Sequence, residues 1–325
     1  MSVIRGENDD SNWAPSYRGA WARALCLLVT TLGLAATAGA NTSNGYNLPT
    51  GVTSLSRAIY ALHMEVFWIC VGIAVAVFGV MIYALVRFRH SQGAIPDTTM
   101  VHSTKVEIIW TIIPVVILVV MAIPAAKVIL MMEDTRNSEL SIRVTAYQWK
   151  WQYQYMGAGE GIDFFSTLSR DSNFARQLHS GIDPKTVPNY LLDVDHPMVI
   201  PSGTKVRLLL TSQDVIHAWW VPDFGAKRSA IPGFVNELWF RVDPGKEGIY
   251  RGQCAALCGR DHGFMPIVVD VRTPDDFKKW VQDQKAALKQ AAARDGRSPG
   301  AAPPESLPRD SAPPRSAQVL PTSTN

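Results

Sequence analysis

Two long apolar runs restrict this chain more than any other feature. Val66–Val86 carries no charged residue over twenty-one positions, and Ile108–Ala126 carries none over nineteen. About 20 such residues cross a bilayer as a helix, because in hydrocarbon every backbone amide must be satisfied within its own segment. Two helices buried in a soluble core are the alternative, and unbroken apolar runs of this length argue against it. Pro114 and Pro124 fall inside the second run, which a membrane helix tolerates where neighbours re-satisfy the freed carbonyls. Residues 41–135 are therefore expected to form a transmembrane hairpin, with helices near 59–86 and 106–130. The connecting loop holds Arg87, Arg89 and Lys105. Positive charge stays in the cytoplasm, so the C-terminal half is expected on the other side, in the periplasm of a bacterial inner membrane.

Ahead of the hairpin, Arg18 and Arg23 precede the apolar stretch Ala24–Ala38, and Ala38-Gly39-Ala40 fits a secretory cleavage site. Residues 1–40 thus read as a signal peptide, an uncleaved membrane helix being the alternative. Cys26 starts no lipobox-like ending, and no lipid anchor is expected.

Beyond the hairpin the pattern changes. Short β-rich runs occur at Ile142–Trp149, Trp151–Tyr155, Tyr190–Val194, Lys205–Thr211, Glu237–Val242, Gly248–Arg251 and Ile267–Val271, separated by turn signals such as Pro201-Ser202-Gly203 and Asp243-Pro244-Gly245. Such runs without intervening helices predict an all-β sandwich or Greek-key barrel over 136–272, with the more polar Gly157–Pro188 as an insertion. Thr273-Pro274-Asp275-Asp276 opens a predicted helix over 273–295, with Thr273 as N-cap, Pro274 at the first helical position and acids in the first turn. Seven prolines in the thirty residues 296–325 mark a disordered tail.

Charge excludes one class of function. Between Ser138 and Arg272 fourteen Lys/Arg face fourteen Asp/Glu, which leaves no basic face for phosphates, and no nucleic-acid partner is expected. No C-x-x-C-H motif is present, which argues against a covalently bound haem.

The chemistry concentrates in Gly252–Pro266, where Cys254, Cys258, His262 and Met265 fall within twelve positions. In an oxidising compartment a C-x3-C pair can simply be a disulfide. Thiolate, imidazole and thioether together, however, form the donor set of copper electron-transfer centres rather than of structural zinc. One Cys with His and Met would suit a mononuclear blue-copper site, whereas a second Cys allows two thiolates to bridge two ions. Two ions need a further donor, and His217 in Ser212–Trp219 is the candidate.

Three segments carry a resemblance: D-V-I-H-A-W-W-V-P, then G-A-K-R-S-A-I-P-G, then C-x3-C-G-x2-H-x2-M-P. In this order, with Q-W-K-W-Q-Y-Q-Y at Gln148–Tyr155 and V-E-I-I-W-T-I-I-P at Val106–Pro114, the chain resembles subunit II of haem-copper cytochrome c oxidases over roughly Tyr46–Arg272. The resemblance implies a cupredoxin-like barrel with a binuclear copper A centre. Cys254 and Cys258 would bridge, His217 and Met265 would complete one copper, and His262 with the backbone carbonyl of Ala256 the other. It further implies an aa3-like oxidase that takes electrons from cytochrome c and passes them to haem a in subunit I. The haems and copper B would lie in that subunit, with a subunit III as a further partner, and oxygen would be reduced to water with proton pumping. Trp149 matches the family's exposed electron-uptake tryptophan, in a run where Tyr147, Trp149, Trp151, Tyr153 and Tyr155 alternate with polar residues and so share one face. Glu107 matches an acid linked to proton uptake, an interfacial carboxylate being the plain alternative.

Three positions depart from the family pattern by losing an acid. Ala256 replaces a common Glu, Ser229 an Asp and Gln154 a Glu. The copper set needs only a carbonyl from position 256, but the missing Glu side chain puts a boundary magnesium or manganese ion in doubt. Docking of a basic cytochrome c would then rest on Asp214 and a smaller acidic patch. A tethered copper chaperone or thiol oxidoreductase would need a βαβ pattern that the sequence lacks. A quinol-oxidase subunit would lack the copper ligands, and a purely structural assembly subunit would leave them unexplained.

Overall fold

The computed structural model describes residues 47–294, apart from 90, 92, 94, 96, 97, 100 and 101. The expected signal peptide and Pro-rich tail lie outside the described residues. Two helices come first, α1 (Ser54–Arg87) and α2 (Thr104–Glu133). Both meet the length and composition of a membrane span, and their most apolar stretches are wholly unburied within the chain. Thr53 caps α1 through a reciprocal capping box with Ser56, which satisfies donors that the first turn cannot.

Ten strands follow among the described residues: β1 (Leu140–Tyr147), β2 (Lys150–Met156), β3 (Asp163–Ser166), β4 (Met198–Pro201), β5 (Val206–Ser212), β6 (His217–Val221), β7 (Ala226–Ala230), β8 (Asn236–Phe240), β9 (Gly248–Cys254) and β10 (Pro266–Arg272). The short helix α3 (Arg170–Ala175) sits between β3 and β4, and α4 (Pro274–Arg294) closes the described chain. The strands form two five-stranded sheets, ordered β3-β2-β1-β5-β8 and β4-β10-β9-β6-β7. Only β1 with β5 and β10 with β4 pair in parallel; the other pairs are antiparallel.

Alternation places one face of each sheet in a shared core. Trp151, Tyr153 and Trp219 are fully buried, and Trp219 stacks on Phe240 with ring centroids 5.8 Å apart. Each such side chain contributes about 1.5–3 kcal/mol of burial, which fixes the strands that later carry the site. The aromatic alternation is split by a hairpin: β1 ends at Tyr147 and β2 starts at Lys150, so Trp151, Tyr153 and Tyr155 face the core while Trp149 sits in the turn. Two further expectations change. Tyr190–Val194 is turn and loop that ends in a single antiparallel bridge from Val194 to Leu168, with Leu191 at φ 61° and its N–H bonded to Ser172, so apolar content there serves a loop. Strands β3, β4, β6 and β7 lie outside the expected β-rich runs, β3 within the span read as an insertion, where it pairs with β2; β6 and β7 are short and flanked by Pro222, Gly225 and Pro232, which masks them in sequence.

The sandwich is tied to both helix ends. Arg228 of β7 forms a two-pronged pair with Glu133, and Trp239 donates to the Met131 carbonyl at 3.0 Å. At the start of α1 the Thr53 hydroxyl donates to the Phe224 carbonyl at 2.9 Å, and Arg57 pairs with Asp243.

Candidate metal centre

Strands β6 and β9 pair across Trp219 and Cys254. This puts His217, at the start of β6, beside Cys254, at the end of β9, although 37 residues separate them. The approach depends on Gly252: a Cβ there would stand 2.1 Å from the Trp220 carbonyl oxygen, a spacing real side chains do not adopt. After Cys254 the chain leaves the sheet, loops through Cys258 and a 3-10 turn at His262–Phe264, and returns as β10.

The donors converge. Cys254 and Cys258 Sγ lie 3.8 Å apart and unbonded. Cys254 Sγ is 3.9 Å from His217 Nδ1 and 3.3 Å from the Ala256 carbonyl oxygen, and Cys258 Sγ is 3.4 Å from His262 Nδ1 and 3.6 Å from Met265 Sδ. His217, Cys254 and Cys258 also form a group whose ligating atoms all lie within 4.8 Å of one another. All of these side chains except His262 are buried, and Ala256 and His262 are partly so. The set suits copper, being soft and sulfur-rich with one carbonyl.

Around the donors a second layer fixes their orientation. Asp214 Oδ1 accepts from His217 Nε2 at 2.9 Å, which leaves Nδ1 free to face the sulfurs. The same carboxylate accepts backbone N–H groups of Gln148 and Val215, each at 2.6 Å. The Gln148 side-chain amide and Trp149 Nε1 both donate to the Cys258 carbonyl, at 2.9 and 3.3 Å, while Trp151 Nε1 donates to the Met265 carbonyl at 3.2 Å. Arg260 places its guanidinium 5.5 Å from the Trp149 ring centre. Gln148 and Trp151 are contributors that the sequence motifs contained without marking as such.

Electrostatics make the two thiols unequal. Burial opposes ionisation of Cys254, but hydrogen bonds with His217 and the surrounding backbone outweigh it and bring its pKa down to about 7. Burial and then the neighbouring Cys254 charge push Cys258 up. Without a cation the pair therefore holds one negative charge readily and resists a second. Burial also disfavours a charged His217, yet its bonds to Cys254 and Asp214 together raise its pKa. Asp214 is shifted down: burial works against its charge, and His217 with the Val215 and Gln148 amides overcomes that.

Trp149 is half-buried, packed beside the ligand loop, and Asp214 keeps 29% of its side chain exposed. Glu107 lies elsewhere, in the first turn of α2, at the far end of that helix from the Glu133–Arg228 contact.

Two profiles of one family cover most of this architecture. The one described as cytochrome C oxidase subunit II, transmembrane domain, matches residues 41–128, and the one described as its periplasmic domain matches 140–272. The chain belongs to the cytochrome c oxidase subunit II family. The cytochrome c oxidase subunit 2 assigned to Rickettsia bellii is 37% identical over 227 residues, which is 70% of this chain and 79% of that one. Cytochrome c oxidase subunit 2 of Arabidopsis thaliana is 35% identical over 233 residues, 71% of this chain and 86% of that one. The solved periplasmic domain of subunit II of cytochrome oxidase from Bradyrhizobium japonicum is 38% identical, covering 47% of this chain and 98% of that one, with a TM-score of 0.39. As a subunit II, the chain is a membrane protein of a haem-copper oxidase: a two-helix anchor precedes a cupredoxin-like periplasmic domain of the copper A type.

Proposed function

We propose that the chain accepts electrons from a soluble cytochrome c on the periplasmic face of a bacterial inner membrane, as the electron-uptake subunit of an aa3-like oxidase, and that its centre holds two copper ions. The observation that carries this reading is the pair of unbonded sulfurs 3.8 Å apart, one facing His217 Nδ1 and the other facing His262 Nδ1 and Met265 Sδ. Cys254, Cys258, His217, His262, Met265 and the Ala256 carbonyl would hold the copper, and six donors would suffice for two ions. Bound there, copper supplies one-electron transfer, from cytochrome c to the haem a of subunit I, where oxygen is reduced and protons are pumped.

The chain's own residues do the rest. Asp214 holds His217 in the tautomer that points Nδ1 inward, and Gln148 and Trp149 restrain the Cys258 carbonyl, so the donors are set before any metal arrives. Trp149, in van der Waals reach of the ligand loop and partly open to solvent, offers the shortest route inward for an electron. Asp214 supplies rim charge for a basic partner. Glu107, in the first turn of α2, would deliver protons toward subunit I. Contacts with subunits I and III are made through the helices and the membrane-facing edge of the sandwich.

Full-length chain purified in detergent and loaded with copper should bind two ions and give a delocalised mixed-valence spin-resonance spectrum. A single copper with a blue-copper spectrum would refute the binuclear reading.

A further inference from the structure

The insertion between β2 and β4 reaches the ligand loop through one side chain. Arg176 follows α3, and its Nη1 lies 3.8 Å from the Asp261 carboxylate while its guanidinium carbon sits 4.4 Å from the centre of the Phe264 ring. Nε donates to Asn173 at 2.8 Å, which fixes the direction of the fork. The side chains of Arg176 and Asp261 are only 24% and 16% exposed, so this pair is less screened than a surface one. Arg260 also touches Asp261, at 3.3 Å, but is 82% exposed and contributes little by the same reasoning.

Asp261 and Phe264 bracket His262 and lead into Met265. Their turn is otherwise held by two backbone bonds, His262 N–H to the Gly259 carbonyl at 3.3 Å and Phe264 N–H to the Asp261 carbonyl at 2.9 Å. Gly259, at φ 118°, and Gly263 lie within that stretch, and glycine backbone is the easiest to disorder. The platform behind Arg176 is firm by contrast. Buried Ser172 of α3 accepts the Leu191 N–H at 3.1 Å, Ser169 N–H reaches the Asp193 carbonyl at 2.9 Å, and Asp193 in turn pairs with Arg251 of β9.

We propose that Arg176 is a positioning residue: the insertion clamps the loop segment His262–Met265 through the Asp261 ion pair and the Phe264 stack, so that this segment stays formed without metal. The two histidines are thus held by different means, His217 by Asp214 on the sheet and His262 by a clamp from outside it.

Arg176→Gln keeps most of the bulk and can still meet Asn173, but loses the charge; Arg176→Lys keeps a cation for both Asp261 and Phe264. In copper-free full-length chain in detergent, hydrogen exchange should quicken at residues 262–265 in Arg176→Gln and stay near the parent in Arg176→Lys, with equal melting temperatures. In the copper-loaded chain, transfer of copper to a chelator should be faster in Arg176→Gln by on the order of tenfold, the range for loss of an outer partner of a metal ligand, and its spin-resonance spectrum should show altered hyperfine coupling. Parent-like exchange at 262–265 in Arg176→Gln would overturn the clamp, as would equal loss of protection in both variants. The copper measurements rest on the copper reading above, whereas the exchange measurement does not, so failure of the parent to bind copper would be seen separately.

Discussion

Replacing Asp214 by Asn isolates the anchor of His217. The parent carboxylate receives N–H groups from Gln148 and Val215 at 2.6 Å each and from His217 at 2.9 Å, with the Ser212 hydroxyl at 3.2 Å. Asn has one oxygen. Placed at the Oδ1 position it keeps Val215 and His217 as neutral bonds, but its NH2 then confronts the Gln148 N–H. One charge-assisted bond is lost, worth about 1.5–3 kcal/mol, and the partly exposed position favours the lower end, about 2 kcal/mol. For a folded unit of this size that corresponds to a melting temperature lower by roughly 4–8 °C. Because the folded-state pKa of Asp214 is lowered, its stabilisation is present above the ordinary carboxylate value and is lost as pH falls through the folded value. The gap between parent and variant should therefore be full at neutral pH and close only on strong acidification. Melting followed by tryptophan fluorescence from pH 7 downward measures it, and copper transfer to a chelator should quicken in parallel as His217 loses its orientation. Melting curves that coincide at pH 7, with unchanged copper retention, would show that these bonds do not hold the site.

Cys254→Ser should abolish the mixed-valence spectrum, whereas Cys70→Ser should leave it intact because Cys70 lies within α1; spin resonance of the two variants decides this. Trp149→Ala should slow electron uptake from cytochrome c in stopped flow at unchanged copper content, and an unaltered rate would remove Trp149 from the route. Ala256→Glu should strengthen retention of a boundary magnesium or manganese ion in the assembled oxidase, since those cations require oxygen ligands, without changing the copper spectrum. Equal occupancy in parent and variant after chelator washing would mean that other groups already hold the ion.

The legible parts of this protein are those written in contiguous residues. The uncharged runs at Val66–Val86 and Ile108–Ala126 state a hairpin because a bilayer imposes length and composition on each helix separately. The cluster from Cys254 to Met265 states soft-metal chemistry because four of its donors share one loop. Other features were invisible because they depend on distant partners. Strand β6 is five residues long and gains its pairing from β7 and β9, while Tyr190–Val194 has strand-like composition but reaches only a single bridge, Val194 to Leu168.

What only the tertiary structure decided is how the donors meet and what restrains them. His217 joins Cys254 because β6 and β9 are neighbours, and Gly252 permits the spacing. The fate of Asp214 could not be read from its place three residues before His217, since the backbone must turn before the carboxylate can meet Nε2 and two amides at once. Arg176 carries no motif, and its contact with Asp261 and Phe264 exists only once the insertion folds back over the loop. Sequence named the donors because ligand chemistry resides in side-chain type; folding alone set their distances, because those follow from strand pairing and packing between residues far apart in the chain.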